Sequence, residues 1–235
     1  MTSSAIRVPF QLEPCFAVPL AAVRLPDADP EALQTLFLER ERAGETWRSR
    51  KHADTQHGEL FESRFDLFGW PDPPVKTLAH ACHAALSQLV RALNQYADED
   101  LARLKFEYHA WFHVTRKGGY QGLHDHPNAS WSGIYCVNPG DDVPGRPDSG
   151  QIRFHDPRGS VVMYRDPGNE HLRPPYFTGT LNLRHEAGKL LLFPSYLRHE
   201  IFPYQGERPR VVVAFNCWIR KRVTDERQQM TERTE

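Results

Sequence analysis

The chain has 235 residues, 40% hydrophobic and 25% charged, which is enough for one globular domain and excludes a disordered, solvating segment. Its 29 basic and 30 acidic residues leave a formal net charge of −1, which argues against binding to nucleic acid or to an anionic membrane. We expect neither a signal peptide nor a transmembrane helix, and four widely spaced cysteines predict free thiols in a cytoplasmic protein.

The first hundred residues predict a short strand followed by two helices. Apolar residues alternate over 16–20, as in an edge strand. Asp29-Pro30 has the pattern of an N-cap and first helical residue, and Gly44 ends the helix that follows. Pro73-Pro74 opens a second helix, in which apolar residues recur at helical spacing until the acidic run at 98–100 ends it.

After residue 103 the hydrophobic period changes from helical to alternating. Even-numbered residues from Leu104 to Val114 are apolar, while the odd-numbered ones are mostly polar, which predicts a long strand with one buried face. Residues 165–187 carry many prolines and glycines and predict a long loop. Further short strands are predicted at 120–126, 132–137, 151–155, 161–164, 188–193, 199–204 and 210–219.

Many short strands without long helices between them favour an antiparallel jelly roll over a βαβ sheet. We therefore predict a mainly β fold with supporting N-terminal helices, a cupin-like double-stranded β-helix. The whole chain is predicted to be a single domain. Residues 1–102 supply the first strand and the supporting helices, residues 103–220 form the β-helix core, and residues 221–235 are a polar tail.

A histidine cluster is the sharpest local feature. Because residues i and i+2 of a strand point to the same face, His124 and His126 can reach one metal ion, while Asp125 points away. His199 follows an apolar strand and a proline turn, and a jelly roll brings such a distant strand back beside the first. Imidazole ligands suit iron, zinc, copper or nickel. Two surface histidines near a turn are the alternative for the His-x-His motif alone.

Two arginines near the last strand form the second feature. Arg208 and Arg210 share parity with Val212, so one of them can point into the barrel. A buried guanidinium needs a carboxylate partner, and no acidic residue alternates nearby. A bound dicarboxylate would supply that partner through a bidentate contact. The alternative is an arginine in solvent at the start of the strand.

Four stretches in a fixed order carry a resemblance to a known family. They lie at 124–135, 150–158, 191–199 and 210–216. Over about residues 105–219 the sequence resembles the 2-oxoglutarate/Fe(II)-dependent oxygenases, and in particular a bacterial and phage group of them. The resemblance implies a double-stranded β-helix that uses Fe(II), 2-oxoglutarate and O₂. It also implies hydroxylation of a substrate C–H bond, with release of succinate and CO₂.

Carried over residue by residue, the resemblance makes His124 the first iron ligand and His199 the distal one. It makes Arg210 the residue that holds the far carboxylate of 2-oxoglutarate. The common family motif is His-x-Asp, which gives two histidines and one carboxylate, whereas His126 stands in the carboxylate's place here. Three histidines are the preferred ligand set. Asp125 can be a ligand only if the strand bulges at that residue. The choice between Arg208 and Arg210 as the residue that binds 2-oxoglutarate also stays open.

Several neighbouring residues have two alternative roles on sequence grounds. Tyr135, Asn216 and Trp218 are candidates for the pocket lining, with core packing as the alternative. His109 and His113 lie on the polar face of their strand, where we expect them at the surface or behind the ligands.

Two other functions remain in competition. The first is a cupin-like three-histidine metalloenzyme, which would be a dioxygenase or isomerase without 2-oxoglutarate. Cupins have similar spacings between their glycines and their metal-binding histidines, although Ser130 and Trp131 stand where a cupin has its glutamate. Arg210 discriminates, because a cupin has no 2-oxoglutarate to bind. A non-enzymatic jelly-roll binding module would bind no metal. The sequence identifies neither the substrate, a small molecule or a side chain, nor the oligomeric state.

Overall fold

The computed structural model describes residues 9–50, 53–158 and 164–222. The polar tail from residue 223 and all but the last residue of the strand predicted at 161–164 lie outside this part of the chain. Its helices are α1 (Pro30–Arg42), α2 (Pro73–Asn94) and α3 (Asp98–Ala102). Its strands are β1 (Ala21–Arg24), β2 (Gln56–His57), β3 (Leu60–Glu62), β4 (Leu104–Thr115), β5 (Tyr120–His124), β6 (Trp131–Asn138), β7 (Ile152–His155), β8 (Thr180–Leu183), β9 (Lys189–Pro194), β10 (His199–Ile201) and β11 (Arg210–Lys221).

The strands form two antiparallel sheets. The major sheet has the order β1-β9-β6-β11-β4-β3, and the minor sheet has the order β2-β5-β10-β7-β8. The β4–β11 ladder is continuous from Arg210 opposite Thr115 to Lys221 opposite Leu104. The predicted mainly β fold with supporting N-terminal helices is confirmed.

The two predicted helices begin where the sequence indicated. The Asp29 side chain accepts hydrogen bonds from the backbone N–H groups of Glu31 and Ala32, each at 3.0 Å, which satisfies free donors at the start of α1. α2 ends before the acidic run, where Gln95 adopts a left-handed conformation with φ 56°. The acidic residues 98–100 form the first turn of α3, a position that the helix dipole favours for negative charge.

One face of the major sheet packs against the helices. Leu33 and Phe37 of α1, with Leu78 of α2, lie in one buried cluster with Phe112 of β4. The Phe37 and Phe112 rings stack with their centroids 4.3 Å apart. We infer from this shared core that the N-terminal helices and the β-helix form one domain. Within the described residues, no helix is both long and apolar enough to cross a membrane.

The other face of the major sheet meets the minor sheet. Ile134 and Val212 of the major sheet form a second buried cluster with Phe154 and Ile201 of the minor sheet. This cluster fills the interior between the sheets. Val211 and Val213 belong to the helix-side cluster, so the even-numbered residues of β11 face the interior. Arg210 has the same parity as Val212 and lies on this interior face.

The structure corrects four of the strand predictions. The strand predicted at 120–126 is β5, which ends at His124, so His126 lies in the loop that follows. The edge strand is β1, not residues 16–20, because Phe16 has φ 60° and lies in a turn. β8 lies inside the predicted loop at 165–187 and pairs with β7; its alternating exposure is typical of an edge strand. β10 ends at Ile201, shortly before Pro203, which has no N–H for a sheet ladder.

Candidate metal centre

Two strands of the minor sheet and the loop after one of them bring three histidines together. His124 ends β5 and lies opposite His199, the first residue of β10. His126 follows in the next loop, where its backbone N–H donates to the Ser195 carbonyl at 2.8 Å. Each of the three rings offers a nitrogen within 4.8 Å of the others. These are the three histidines predicted as ligands, and Asp125 lies outside the group.

Backbone carbonyls set the tautomer of two of these rings. His124 Nδ1 lies 2.7 Å from the Gly122 carbonyl oxygen, and His199 Nδ1 lies 2.9 Å from that of Leu197. A carbonyl oxygen only accepts, so each Nδ1 carries the proton and donates. The lone pair of each ring is therefore on Nε2, the atom left to bind a metal.

Burial keeps the three rings neutral. Burial first, and then the neighbouring His124, lower the pKa of His199 to about 3 and that of His126 to about 4. Burial also lowers the pKa of His124. A metal binds neutral imidazole, so the rings need not lose protons to bind one near neutral pH.

Aromatic side chains form the walls of the site. Phe193 and Phe154 lie 5.0 and 5.8 Å from His199 between ring centroids. Trp111 lies 6.1 Å from His126 by the same measure. Such an apolar shell limits the access of water to bound groups.

A buried polar network beside the histidines was not predicted. His113 is only 2% exposed, and its Nε2 lies 2.9 Å from Glu62 Oε2 and 3.1 Å from Trp111 Nε1. A protonated Nε2 donates to the carboxylate, and an unprotonated one accepts from the indole N–H. Gln56 Nε2 donates to the same Glu62 oxygen at 2.5 Å. No local motif could have revealed the network, because Gln56 and Glu62 lie on short strands far from His113 in sequence. His109, by contrast, is exposed, as one of the two expectations had it.

The structure separates the two candidate arginines. Arg208 has 73% of its side chain exposed and pairs with Asp141, which also accepts its backbone N–H at 2.8 Å. Arg210 is 2% exposed on the interior face of β11, and no carboxylate of the described residues lies within 4.0 Å of it. Within the same part of the chain, its Nη2 atom has no hydrogen-bond partner. Arg210 is therefore the candidate whose buried positive charge lacks a counter-ion.

Of the three candidate lining residues, Tyr135 faces away from the interior. It belongs to the helix-side cluster, because it has the opposite parity to Ile134 on β6. Asn216 accepts a hydrogen bond from Ser132 Oγ at 2.7 Å, and Ser132 Oγ lies 2.8 Å from Ser195 Oγ. Ser195 in turn holds the backbone of the loop that carries His126. Asn216 therefore contacts the support of the site.

A largely apolar cavity lies close to His199, at the edge of the interior cluster to which Phe154 and Leu197 belong. Its volume is about 300 Å³. Phe154 and Leu197, which both contact His199, form part of its wall. Arg158, also in the wall, is held by Asp156 and donates to the Phe177 carbonyl at 2.7 Å.

One family model matches the part of the chain that contains these residues. Residues 109–216, which include the three histidines and Arg210, match the model of a family described as "Putative 2OG-Fe(II) oxygenase". No curated protein matches the chain.

Three solved structures illustrate the fold similarity. A Pseudomonas putida prolyl-4-hydroxylase shares 18% identity over 88% of this chain and 94% of that one, with a TM-score of 0.56. A Trichoplax adhaerens prolyl hydroxylase in complex with a hypoxia inducible factor peptide fragment shares 13% over 90% and 86%, with a TM-score of 0.52. The epimerase SnoN in complex with Fe³⁺, alpha ketoglutarate and nogalamycin RO shares 14% over 90% and 84%, with a TM-score of 0.56. These similarities show the double-stranded β-helix fold.

Proposed function

The chain belongs, through residues 109–216, to the 2OG-Fe(II) oxygenases, and from this premise we propose the residues that serve its two cofactor sites. His124, His126 and His199 hold Fe(II). Arg210 binds the far carboxylate of 2-oxoglutarate. The reaction is the hydroxylation of a C–H bond of the substrate, with release of succinate and CO₂.

The observation that carries this proposal is the convergence of three neutral imidazoles within 4.8 Å. Two carbonyls fix Nδ1 as the protonated nitrogen of His124 and His199, which leaves Nε2 of both rings as the nitrogen able to bind a metal. Nitrogen donors of this kind suit a divalent iron ion. The residues present therefore fit the metal that the family uses.

The second cofactor fits the unpaired arginine. A guanidinium buried without a counter-charge is costly, and a dicarboxylate that binds there provides the missing charge and the hydrogen-bond acceptors. When bound, Fe(II) and 2-oxoglutarate supply with O₂ the oxidising chemistry that the protein side chains lack. The side chains bind and orient these groups, and the aromatic walls around His199 exclude water from them.

The three-histidine set distinguishes this chain from the common two-histidine, one-carboxylate pattern. A neutral third ligand leaves the bound metal more positive than a carboxylate would. A cupin-like enzyme would also fit three histidines, but it would leave the buried charge of Arg210 unused. The arginine therefore favours the 2-oxoglutarate-dependent reaction.

The proposal is tested with two arginine variants. Protein purified anaerobically and supplied with Fe(II) is expected to convert 2-oxoglutarate to succinate, and Arg210→Met is expected to lose this reaction. Arg208→Met is the matched control, because that side chain is exposed and bound to Asp141. Activity in the absence of 2-oxoglutarate would overturn the proposal in favour of the cupin-like enzyme. A protein without stoichiometric metal would instead be a binding module.

For the substrate we propose the cavity beside His199 as the binding place of an apolar group, whether of a small molecule or of a side chain. Its lining by Phe154, Leu181 and Leu197 supports this role. Leu181→Trp is expected to fill the cavity and to reduce substrate turnover. Binding of 2-oxoglutarate by this variant should remain that of the unmodified protein.

We also propose a cytoplasmic location, which the state of the cysteines supports. All four cysteines are free, and three of them are buried. Free buried thiols are typical of a reducing compartment. Fractionation of the cells that produce the protein tests this location.

A further inference from the structure

His126 is the candidate ligand that lies outside the strand ladder. His124 and His199 face each other in the β5–β10 ladder, and the Nδ1 of each donates to a backbone carbonyl. β5 ends at His124, so the place of His126 depends on how the loop after β5 is held. The three rings can meet only if this loop is fixed as firmly as the ladder.

Ser195, the residue after β9, bonds this loop at two points. The His126 N–H donates to the Ser195 carbonyl at 2.8 Å, and the Ser195 N–H donates to the Ser130 carbonyl at 3.2 Å. The Ser130 N–H donates in turn to the Cys217 carbonyl of β11 at 3.0 Å. The position of Ser195 therefore sets the position of the backbone that carries His126.

A buried chain of hydrogen bonds fixes the Ser195 side chain. Ser132 Oγ donates to Asn216 Oδ1 at 2.7 Å and lies 2.8 Å from Ser195 Oγ. A hydroxyl has one proton, and Ser132 gives its proton to Asn216, so Ser195 is the donor in the bond between the two serines. Ser195 is 0% and Ser132 2% exposed, so bulk water cannot replace a lost partner.

Ser132 is the central member of this chain. On β6 it lies opposite Phe193 of β9 on one side and opposite Asn216 of β11 on the other. β11 is itself paired on both sides, with β4 and β6. The chain thus ties Ser195 to the central strands of the major sheet, which are its most firmly held part.

We propose that Ser132 is a positioning residue of the metal centre, which holds Ser195 and through it keeps His126 beside the other two ligands. The inference rests on the proposed function, because it takes His126 as a ligand. Without the Ser132 hydroxyl, Ser195 loses its acceptor and can shift together with the loop. His124 and His199 keep their places, because the ladder holds them.

Titration of the full-length, metal-free protein with Co(II) tests this role without turnover. Co(II) binds the same donors as Fe(II), and its visible absorption depends on the number and arrangement of its ligands. Ser132→Ala is expected to weaken Co(II) binding about tenfold to a hundredfold, the usual cost of losing a residue that supports a metal ligand. It is also expected to change the absorption spectrum. Ser195→Ala breaks the same chain and serves if the Ser132 variant does not fold.

Ser63→Ala is the matched control. Ser63 is also a buried serine of the major-sheet region, and its Oγ accepts from the Phe112 N–H at 2.9 Å and donates to the Arg64 carbonyl at 3.0 Å. The variant loses the same kind of hydrogen bonds but none that leads to the loop. It should keep the Co(II) affinity and the spectrum, and equal weakening by both variants would overturn the role of Ser132.

His126→Ala separates the inference from its premise. If Ser132 acts through His126, Ser132→Ala weakens Co(II) binding in the unmodified protein and adds nothing in the His126→Ala protein. The same weakening in both proteins, or an unchanged affinity and spectrum in Ser132→Ala alone, would contradict the proposed role. If His126→Ala alone binds Co(II) as tightly as the unmodified protein, His126 is not a ligand, and the ligand set of the proposed function fails instead.

Discussion

His199 lies directly opposite His124 in the β5–β10 ladder, and their ring centroids are 4.4 Å apart. The ladder that holds the minor sheet together is thus also the element that assembles two of the three candidate ligands. Fe(II) bound between these strands would link them across the sheet. Metal binding and the stability of the minor sheet are therefore expected to be coupled.

The first prediction follows from that coupling. Addition of Fe(II) under anaerobic conditions should raise the melting temperature of the metal-free protein, since the ion binds the folded state alone. His199→Ala should abolish this rise and reduce the metal content to background, as measured by elemental analysis. His109→Ala, at an exposed position on a strand, is the control and should keep both the rise in melting temperature and the metal content. A metal content unchanged in His199→Ala would show that the ion binds elsewhere.

The second prediction concerns the stability of the metal-free protein between pH 7.5 and 5. Burial lowers the pKa of His199 and His185 to about 3 and that of His126 to about 4, whereas the ordinary value is 6.5. Below pH 6.5 the unfolded chain binds protons that the folded chain does not. Stability is thus fully present above that pH and is lost as the pH falls towards the folded-state values.

Each buried ring contributes a slope that starts near pH 7 and approaches about 1.4 kcal/mol per pH unit well below pH 6.5. Urea unfolding at pH 7.5, 6.5 and 5.5, with a chelator present, measures how much unfolding free energy the buried rings cost together as the pH falls. His126→Asn should reduce the slope by about one ring's share, whereas His80→Asn, at an exposed position, should leave it unchanged. Equal stability at pH 5.5 and 7.5 would contradict the prediction.

Local alternation is what made part of the site predictable. The His-x-His spacing predicts two rings on one side of the chain, and they do meet, although β5 ends at His124 and His126 reaches the site from the loop. The parity of Arg210 with Val212 places both on one face of β11. These relationships depend only on neighbouring residues. The choice between Arg208 and Arg210 required the structure, because it depends on the ion pair that Arg208 forms with Asp141 at the surface.

The parts of the site that sequence reasoning missed depend on pairings between distant strands. His113 is on the odd-numbered, polar face of β4, where the pattern allows either the surface or a position behind the ligands. That face is buried at its far end, because β3 brings Glu62 opposite His113. The hydrogen bonds from Ser132 to Ser195 and Asn216 likewise join residues far apart in sequence. Neither set of contacts has a signature in the local sequence.

The third prediction concerns the network around Glu62. Glu62→Ala leaves His113 without its carboxylate partner and removes the acceptor of Gln56, all in a buried site. The loss should lower the free energy of unfolding by about 2–4 kcal/mol, which urea titration measures. Glu59→Ala, an exposed neighbour in the same region, should cost less than about 0.5 kcal/mol. Equal costs of the two substitutions would mean that the network does not stabilise the fold.

The fourth prediction concerns the packing of Tyr204, which lies beside Arg210. Gly140 has φ 82°, and a Cβ there would lie 2.3 Å from the Tyr204 hydroxyl oxygen. Gly145 has a similar φ of 75°, but a Cβ there would meet nothing within 4 Å. Gly145→Ala therefore measures the backbone strain alone, about 1 kcal/mol, whereas Gly140→Ala adds a steric clash that displaces Tyr204.

We expect Gly140→Ala to lose about 2–4 kcal/mol of unfolding free energy in urea titration, clearly more than Gly145→Ala. The Tyr204 hydroxyl hydrogen-bonds to both the Asp141 N–H and the Arg208 carbonyl. Displacement of Tyr204 should therefore also shift the start of β11, where Arg210 lies. The Gly140→Ala protein should therefore bind 2-oxoglutarate more weakly than the Gly145→Ala protein, as calorimetry measures. If the two variants were equally stable and equally tight in binding, Tyr204 would have no part in positioning Arg210.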